Sequence, residues 1–406
     1  MLMSVPLDDQ VGAIHGDRLR VLVVGAGVAG VTLAQLLRRQ GLHPVVLERS
    51  ASATGVGYML GMMPLVDEPL RQLGVWQQYR QRSVAMHRYQ LRSSRGRAVR
   101  TYSLDAVLAQ YGRYGGIERD ELMQTITGDG IPATLDSTVT ALEQGDDDVT
   151  ATMRAGEDIR SARFDLVVAA DGMHSTTRGL VLDPREVESF DTGWGGWVAW
   201  AKSDPGTNDL YAETWGRGFF LGRYPVRERV GVFVGGPGTA TGVGPFVSEV
   251  RARLHQIDPL SSQALVAVEQ ADDPYLWQFT DTRSSRWTRG RVVLLGDAAA
   301  GFLPTAGIGA AMAMESAAVL AGRLSTVSAG EVPATLRRYE LAQRPRVLTA
   351  HENSRQLARM MFRDGRVICI LRDIAMRAAT FKMALGPIIK LHQSAPLLKP
   401  DRRVAS

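Results

Sequence analysis

The 406-residue sequence is 45% hydrophobic and 22% charged, the composition of a folded protein with room for two or three domains, which excludes a disordered or fibrous chain. Its net charge of +5 rests on 47 basic residues, of which only Lys202, Lys382, Lys390 and Lys399 are lysines. The signs are mixed along most of the chain, so the arginine bias points to GC-rich coding rather than to a nucleic-acid surface. A single cysteine, Cys369, excludes an intramolecular disulfide and a multi-cysteine metal site and fits a reducing, cytoplasmic setting. Residues 1–18 carry Asp8, Asp9 and Asp17 and do not read as a signal peptide. No apolar stretch reaches the roughly 18 residues needed for a transmembrane segment.

In chain order, Arg20–Val24 is β-branched and apolar, Gly25-Ala-Gly-Val-Ala-Gly30 is a turn, and Val31–Leu37 has apolar residues at helical spacing. A second strand, Pro44–Leu47, ends at Glu48 and completes a βαβ unit with a parallel sheet. Segments 84–104 and 186–236, rich in Val, Tyr, Trp and Phe and broken by Gly and charged turns, read as an antiparallel sheet. Phe164–Ala170 and Arg291–Leu295 return to the buried-strand pattern, so the first domain is discontinuous. Gly235–Gly244 reads as a flexible surface loop, and helix formers dominate from about Pro333.

The expected fold class is therefore α/β: a Rossmann-like domain (18–83, 105–185 and 275–332), an inserted, mostly antiparallel β-sheet domain for substrate (84–104 and 186–274) and a C-terminal helical segment (333–406).

Gly25, Gly27 and Gly30 have the spacing of a dinucleotide turn: a tight bend, a close backbone approach to pyrophosphate, and close helix-on-strand packing. Val28 and Ala29 open the helix whose free N–H groups suit the phosphates. Glu48, 18 positions after Gly30, is placed to accept hydrogen bonds from an unphosphorylated adenosine ribose, as in FAD or NAD. Arg49 is either a stacking partner for adenine or an ordinary solvent-facing arginine.

A second strand–acid–glycine–helix element decides between the two cofactors, because a nicotinamide dehydrogenase of this architecture does not need one. Asp297, at the end of Arg291–Leu295, can reach polyol hydroxyls. Pro304, Gly307, Ile308, Gly309 and Ala310 bring backbone and a helix N-terminus to where a reduced flavin develops negative charge. FAD is the expected cofactor.

With these residues in view, the chain resembles the single-component FAD-dependent aromatic hydroxylases typified by p-hydroxybenzoate hydroxylase, including the tetracycline-inactivating monooxygenases. "GAGVAG" with Glu48 is similar to that family's dinucleotide turn, "DLVVAADGMHSTTR" (165–178) to its Asp-Gly motif, and "RVVLLGDAAAGFLPTAGIGAA" (291–311) to its Gly-Asp motif. The resemblance implies Asp171, Gly172 and Arg178 near the FAD pyrophosphate and the nicotinamide path, Arg119 (with Leu122) on the ribityl-phosphate portion, and Asp297 on the ribityl chain. Ala300, Ala311 and Glu315 depart from it, where many relatives carry His, Asn and Asp. It further implies NADPH or NADH as a transient cosubstrate, O2, a peroxide at the flavin C4a carbon, and hydroxylation or epoxidation of an apolar, aromatic small molecule. Cys369 lies away from every flavin motif, so the FAD is expected to be noncovalent. The protein is expected to be a monomer or homodimer.

For the substrate, Trp197, Trp215 and Phe219, with Trp194, Trp200 and Phe220, are either pocket wall or sheet core, since alternate residues of a strand face opposite ways. Arg223 is either an anchor for an acidic or phenolate group or half of a cross-strand salt bridge. In the loop 55–64, Met59, Met62 and Met63 are an adaptable lining or core. His174 and His351 are the obvious bases, and each is equally readable as structural. The alternatives are a flavin-dependent halogenase, whose Trp-x-Trp-x-Ile-Pro motif is missing from "WGGWVAW", and a noncatalytic FAD-binding protein.

Overall fold

The computed structural model describes residues 1–52, 57–93, 95–237, 239–254, 257–378, 385–394 and 396. Its centre is a five-stranded sheet in the order Thr288–Arg289, Val292–Leu294, Leu166–Ala169, Val21–Val24, Val45–Leu47. The last four strands are parallel, and only Thr288–Arg289 runs antiparallel. Each parallel strand is a run of Val, Leu and Ala buried on both faces, as a covered parallel sheet requires. Helices Val28–Arg39 and Gly309–Leu324 pack against each other, and an antiparallel meander, Ser137–Gln144, Val149–Ala155 and Asp158–Phe164, lies beside the sheet.

A seven-stranded sheet forms the second layer, in the order Tyr275–Ser284, Val187–Lys202, Arg229–Gly236, Phe220–Pro225, Leu210–Trp215, Arg88–Arg92, Ala98–Ser103. One face carries helices Val243–Arg253 and Pro259–Glu269, which bury Phe219, Leu221, Val232 and Phe246 between them. The other face, with Phe220, Phe233 and Phe279, turns toward the parallel sheet. A small sheet, Met59–Met62, Gly115–Glu118 and Val84–Ala85, bridges the layers. The C-terminal part is helical: Val332–Met361, Arg366–Ala378 and Gly386–Gln393. No helix among the described residues is long and apolar enough to cross a membrane.

Three local expectations are corrected. Segment 275–284, assigned by sequence to the nucleotide-binding part, is the edge strand of the seven-stranded sheet, because Val187–Lys202 is long enough to pair with it on both sides of a bulge between Asp191 and Gly195. Gly235 and Gly236 finish a buried strand instead of entering a loop; a Cβ on Gly236 would press on the Phe246 ring at 3.0 Å. The N-terminal residues before 18 belong to the fold. Leu2–Ser4 pairs in parallel with Ile131–Ala133, and Gln10 bonds both backbone groups of Val46, at 3.1 and 2.9 Å.

Candidate active site

A cavity of about 350 Å3 opens between the carboxyl ends of the parallel strands and the inner face of the seven-stranded sheet. Its floor contains Gly27, Val28, Ala29, Gly172, Asp297, Pro304, Gly307, Ile308, Gly309 and Ala310, with Arg119 at one side. Segments far apart in sequence, the early turn, the Asp-Gly turn and the late Gly-Asp turn, thus meet around one space. Gly25 and Gly30 lie beneath it and explain the local shape. Gly25 has φ +101° beside the Ala170 carbonyl, and a Cβ on Gly30 would overlap the Gly25 carbonyl oxygen. Strand and helix therefore touch only because both residues lack side chains.

Glu48 ends its strand half-buried and accepts hydrogen bonds from the Ala26 and Ser50 N–H groups, at 2.9 and 2.8 Å. Two oxygens of an ionised carboxylate still leave lone pairs for ribose hydroxyls. Arg49 is exposed beside it. Asp297 is exposed to the open cleft, and no hydrogen bond reaches its carboxylate among the described residues; the protein mass packed around the cleft pushes its carboxyl up to about 6. An acceptor group without a protein donor, at the N-terminal end of a glycine-shaped turn, is what a hydroxyl-bearing chain requires. The donors, the acceptors and the glycine cradle fit an extended dinucleotide.

Asp171 and Arg178 do not line this space. Asp171 accepts from the Ser175 hydroxyl and from the Thr177 N–H at 3.0 Å, holding its own turn. Arg178 is buried and donates to the carbonyls of Ala298 at 3.0 Å and Met173 at 2.9 Å. Expected beside phosphates, its guanidinium instead ties the Asp-Gly turn to the Gly-Asp turn through those two carbonyls.

The residue family is now decided by sequence as well: residues 18–354 match the family model described as "FAD binding domain". The chain belongs to that family. FAD is its cofactor. A 3-amino-4-hydroxybenzoate 2-monooxygenase of Streptomyces cremeus is 30% identical over 373 residues, covering 89% of this chain and 92% of the relative. A flavin-dependent monooxygenase of an unknown prokaryotic organism is 26% identical over 353 residues, 80% of this chain and 85% of the relative. The fold is shared with Klebsiella pneumoniae HpxO complexed with FAD and uric acid (TM-score 0.82, 24% identity, 95% of this chain and 99% of that one).

In this member of the family the wall opposite the floor comes from inward positions of the seven-stranded sheet: Tyr211, Glu213, Phe220, Tyr224, Phe233, Trp277 and Phe279. Of the substrate candidates from sequence, Met59 lines the cleft, while Met62 and Met63 are core. Residues 55 and 56 of that loop lie outside the described residues. Trp197, Phe219 and Arg223 fall on the far face of the sheet, because the pleat sends their neighbours Phe220 and Tyr224 inward. Arg223 is 1% exposed and donates to Gln263 at 2.8 Å under the outer helices. Trp215 is buried next to the wall without lining it, its Nε1 donating to Glu213 at 3.0 Å. His174 is exposed and His351 is fully buried, its Nε2 3.1 Å from the Gly301 carbonyl oxygen.

Sequence reasoning missed the most polar part of the wall. Glu213 is 5% exposed and collects the hydroxyls of Tyr89 at 2.8 Å, Tyr211 at 2.6 Å and Tyr224 at 3.4 Å, besides Trp215. Burial pushes its carboxyl up, and the four donors pull the other way. The third side of the cleft is closed by Met361, the last residue of helix Val332–Met361, and Phe362 just beyond it; Phe362 stacks on Trp194 at 4.4 Å and Phe279 at 5.4 Å.

Proposed function

We propose that the chain is a flavin-dependent monooxygenase that uses NAD(P)H and O2 to hydroxylate or epoxidise an apolar, aromatic small molecule. The observation that carries this reading is the facing of two walls: the FAD motifs on one side of a single cleft and the rings of Phe220, Phe233, Trp277 and Phe279 on the other. When bound, FAD supplies the redox and oxygen chemistry that no side chain can.

The protein's part is positioning. The N–H groups at Gly27–Ala29 and the turn at Gly172 would receive phosphates, Glu48 would take ribose, and Asp297 and Arg119 would hold the chain leading to the flavin ring. The backbone N–H groups of Gly307–Ala310, at a helix N-terminus, would favour negative charge on the ring. The aromatic wall takes up a flat substrate and, with Met361 and Phe362, keeps water out of the reacting space. No histidine lines the cleft among the described residues, so any proton that the substrate gives up passes to a carboxylate, Glu213 by way of its phenols or Asp297, or to water.

The test is to purify the yellow protein, screen aromatic compounds for stimulated NADPH or NADH consumption, and weigh the product. A gain of one oxygen atom is expected. Flavin retained with no nicotinamide oxidation by any compound would instead indicate a noncatalytic FAD-binding protein.

A further inference from the structure

The end of the cleft away from the FAD motifs is built around Glu213. We propose that Glu213 acts as a specificity-determining residue, by drawing the hydroxyl protons of the neighbouring tyrosines onto itself so that the cleft accepts neutral or cationic N–H and O–H donors and rejects carboxylates. The inference rests on the reading that substrate occupies this cleft, and it names the chemical class of that substrate.

A phenol has one proton and two lone pairs. Tyr211 and Tyr224 both line the cleft, and both direct their proton to Oε1 of Glu213, at 2.6 and 3.4 Å. Their oxygens then have only lone pairs left for a ligand. Tyr89, behind them, gives its proton to Oε2 at 2.8 Å, so the second carboxylate oxygen is engaged as well. Gly222 stands directly across from Glu213 in the pairing of the two strands. A Cβ there would collide with the Tyr224 hydroxyl, so the missing side chain is what lets that phenol fold back toward the carboxylate.

The charge balance points the same way. Arg119 is the single cation lining the cleft among the described residues, and it lies on the cofactor side, its guanidinium 5.9 Å from the centre of the Tyr58 ring. Arg223, the cation on the same strand as Tyr224, is turned to the outer face and held by Gln263. At this wall an aromatic acid would therefore bring its charge to a carboxylate and to the lone pairs of Tyr211 and Tyr224, with no cation of the lining beside it among the described residues. An amine, an N–H heterocycle or a phenol would bring the missing proton.

The test uses the FAD-loaded protein and four probes, aniline, indole, phenol and benzoate, with binding read from the flavin absorbance change and no turnover required. The three donors are expected to bind at least about tenfold more tightly than benzoate, the ratio that leaving a buried polar group unpaired imposes. In Glu213→Gln the amide donates to one phenol and turns its proton toward the ligand, so the preference should narrow about tenfold or reverse. Tyr211→Phe and Tyr224→Phe, which remove one acceptor each and little volume, should each weaken the donors while leaving benzoate unchanged. Benzoate binding as tightly as the donors, no binding by any donor while flavin is retained, or an unaltered preference in all three variants would overturn the assignment. Absence of NAD(P)H oxidation would overturn the monooxygenase reading alone, since these binding ratios do not depend on it.

Discussion

The floor and the roof of the cleft are made by different physics. The floor, Gly25–Gly30 with Gly296–Ala310, offers backbone to the cleft: tight turns, bare Cα atoms and helix N-termini. The roof offers side chains on alternate positions of strands that meet only after folding, so Tyr89 reaches Glu213 across 124 positions of sequence. Backbone recognition needs particular residues at particular spacings. Side-chain recognition needs only that some suitable group be present on the right face.

That contrast can be broken by mutation. The largest effect is expected from Gly30→Val, which drives a side chain into the Gly25 carbonyl and removes the turn itself; the measured outcome is colourless, insoluble or unfolded protein. Next come two neighbours on one strand. Phe219→Ala empties the outer core and should cost about 3–5 kcal/mol in denaturant unfolding with the flavin-bound cleft unaltered. Phe220→Ala should instead act mainly on KM for the substrate, and equal kinetic effects from both would mean that the faces are misassigned.

Asp297→Ala should weaken FAD by about 100-fold, or about 2.7 kcal/mol, giving mostly colourless but folded protein in the ratio of flavin to protein absorbance. An effect of similar size, on stability alone, serves as a control outside both walls. Burial raises the Asp67 carboxyl from its ordinary 3.8 to about 7, with Arg71 3.6 Å away opposing the shift. The folded state thus holds this proton more tightly than the unfolded one, and its contribution to stability is full below pH ~4 and lost as pH rises through about 7. Asp67→Asn should abolish that contribution, roughly 2–3 kcal/mol between pH 5 and 8, without changing flavin content.

The same contrast governs what could be read from sequence. The parallel strands, the first crossover helix and the floor residues from Gly27 to Ala310 were legible because each motif is contiguous and its residue types are demanded by local geometry. For the roof, alternation stated that neighbours face opposite ways but not which way: Phe219 and Phe220 drew attention alike although only Phe220 points inward, and Arg223 drew it while its neighbour Tyr224 lines the cleft. Tyr211, Glu213 and Trp215, spaced by two, shared a face on any reading. That the face is the inner one follows only from the outer helices taking the other. Arg178 misled for a related reason: a cation in a phosphate-binding motif was equally suited to the two carbonyls that it joins.

The long helix Val332–Met361 touches both halves of the cleft. His351 lies against the Gly301 carbonyl, the Thr305 hydroxyl donates to the Ser354 carbonyl at 2.8 Å, and the chain leaving its end places Phe362 among the aromatic rings. It works as a strut under the cofactor turn and a lintel over the entrance. Exchanging this one segment between relatives would therefore alter how the yellow group sits and which molecules pass the doorway in a single step.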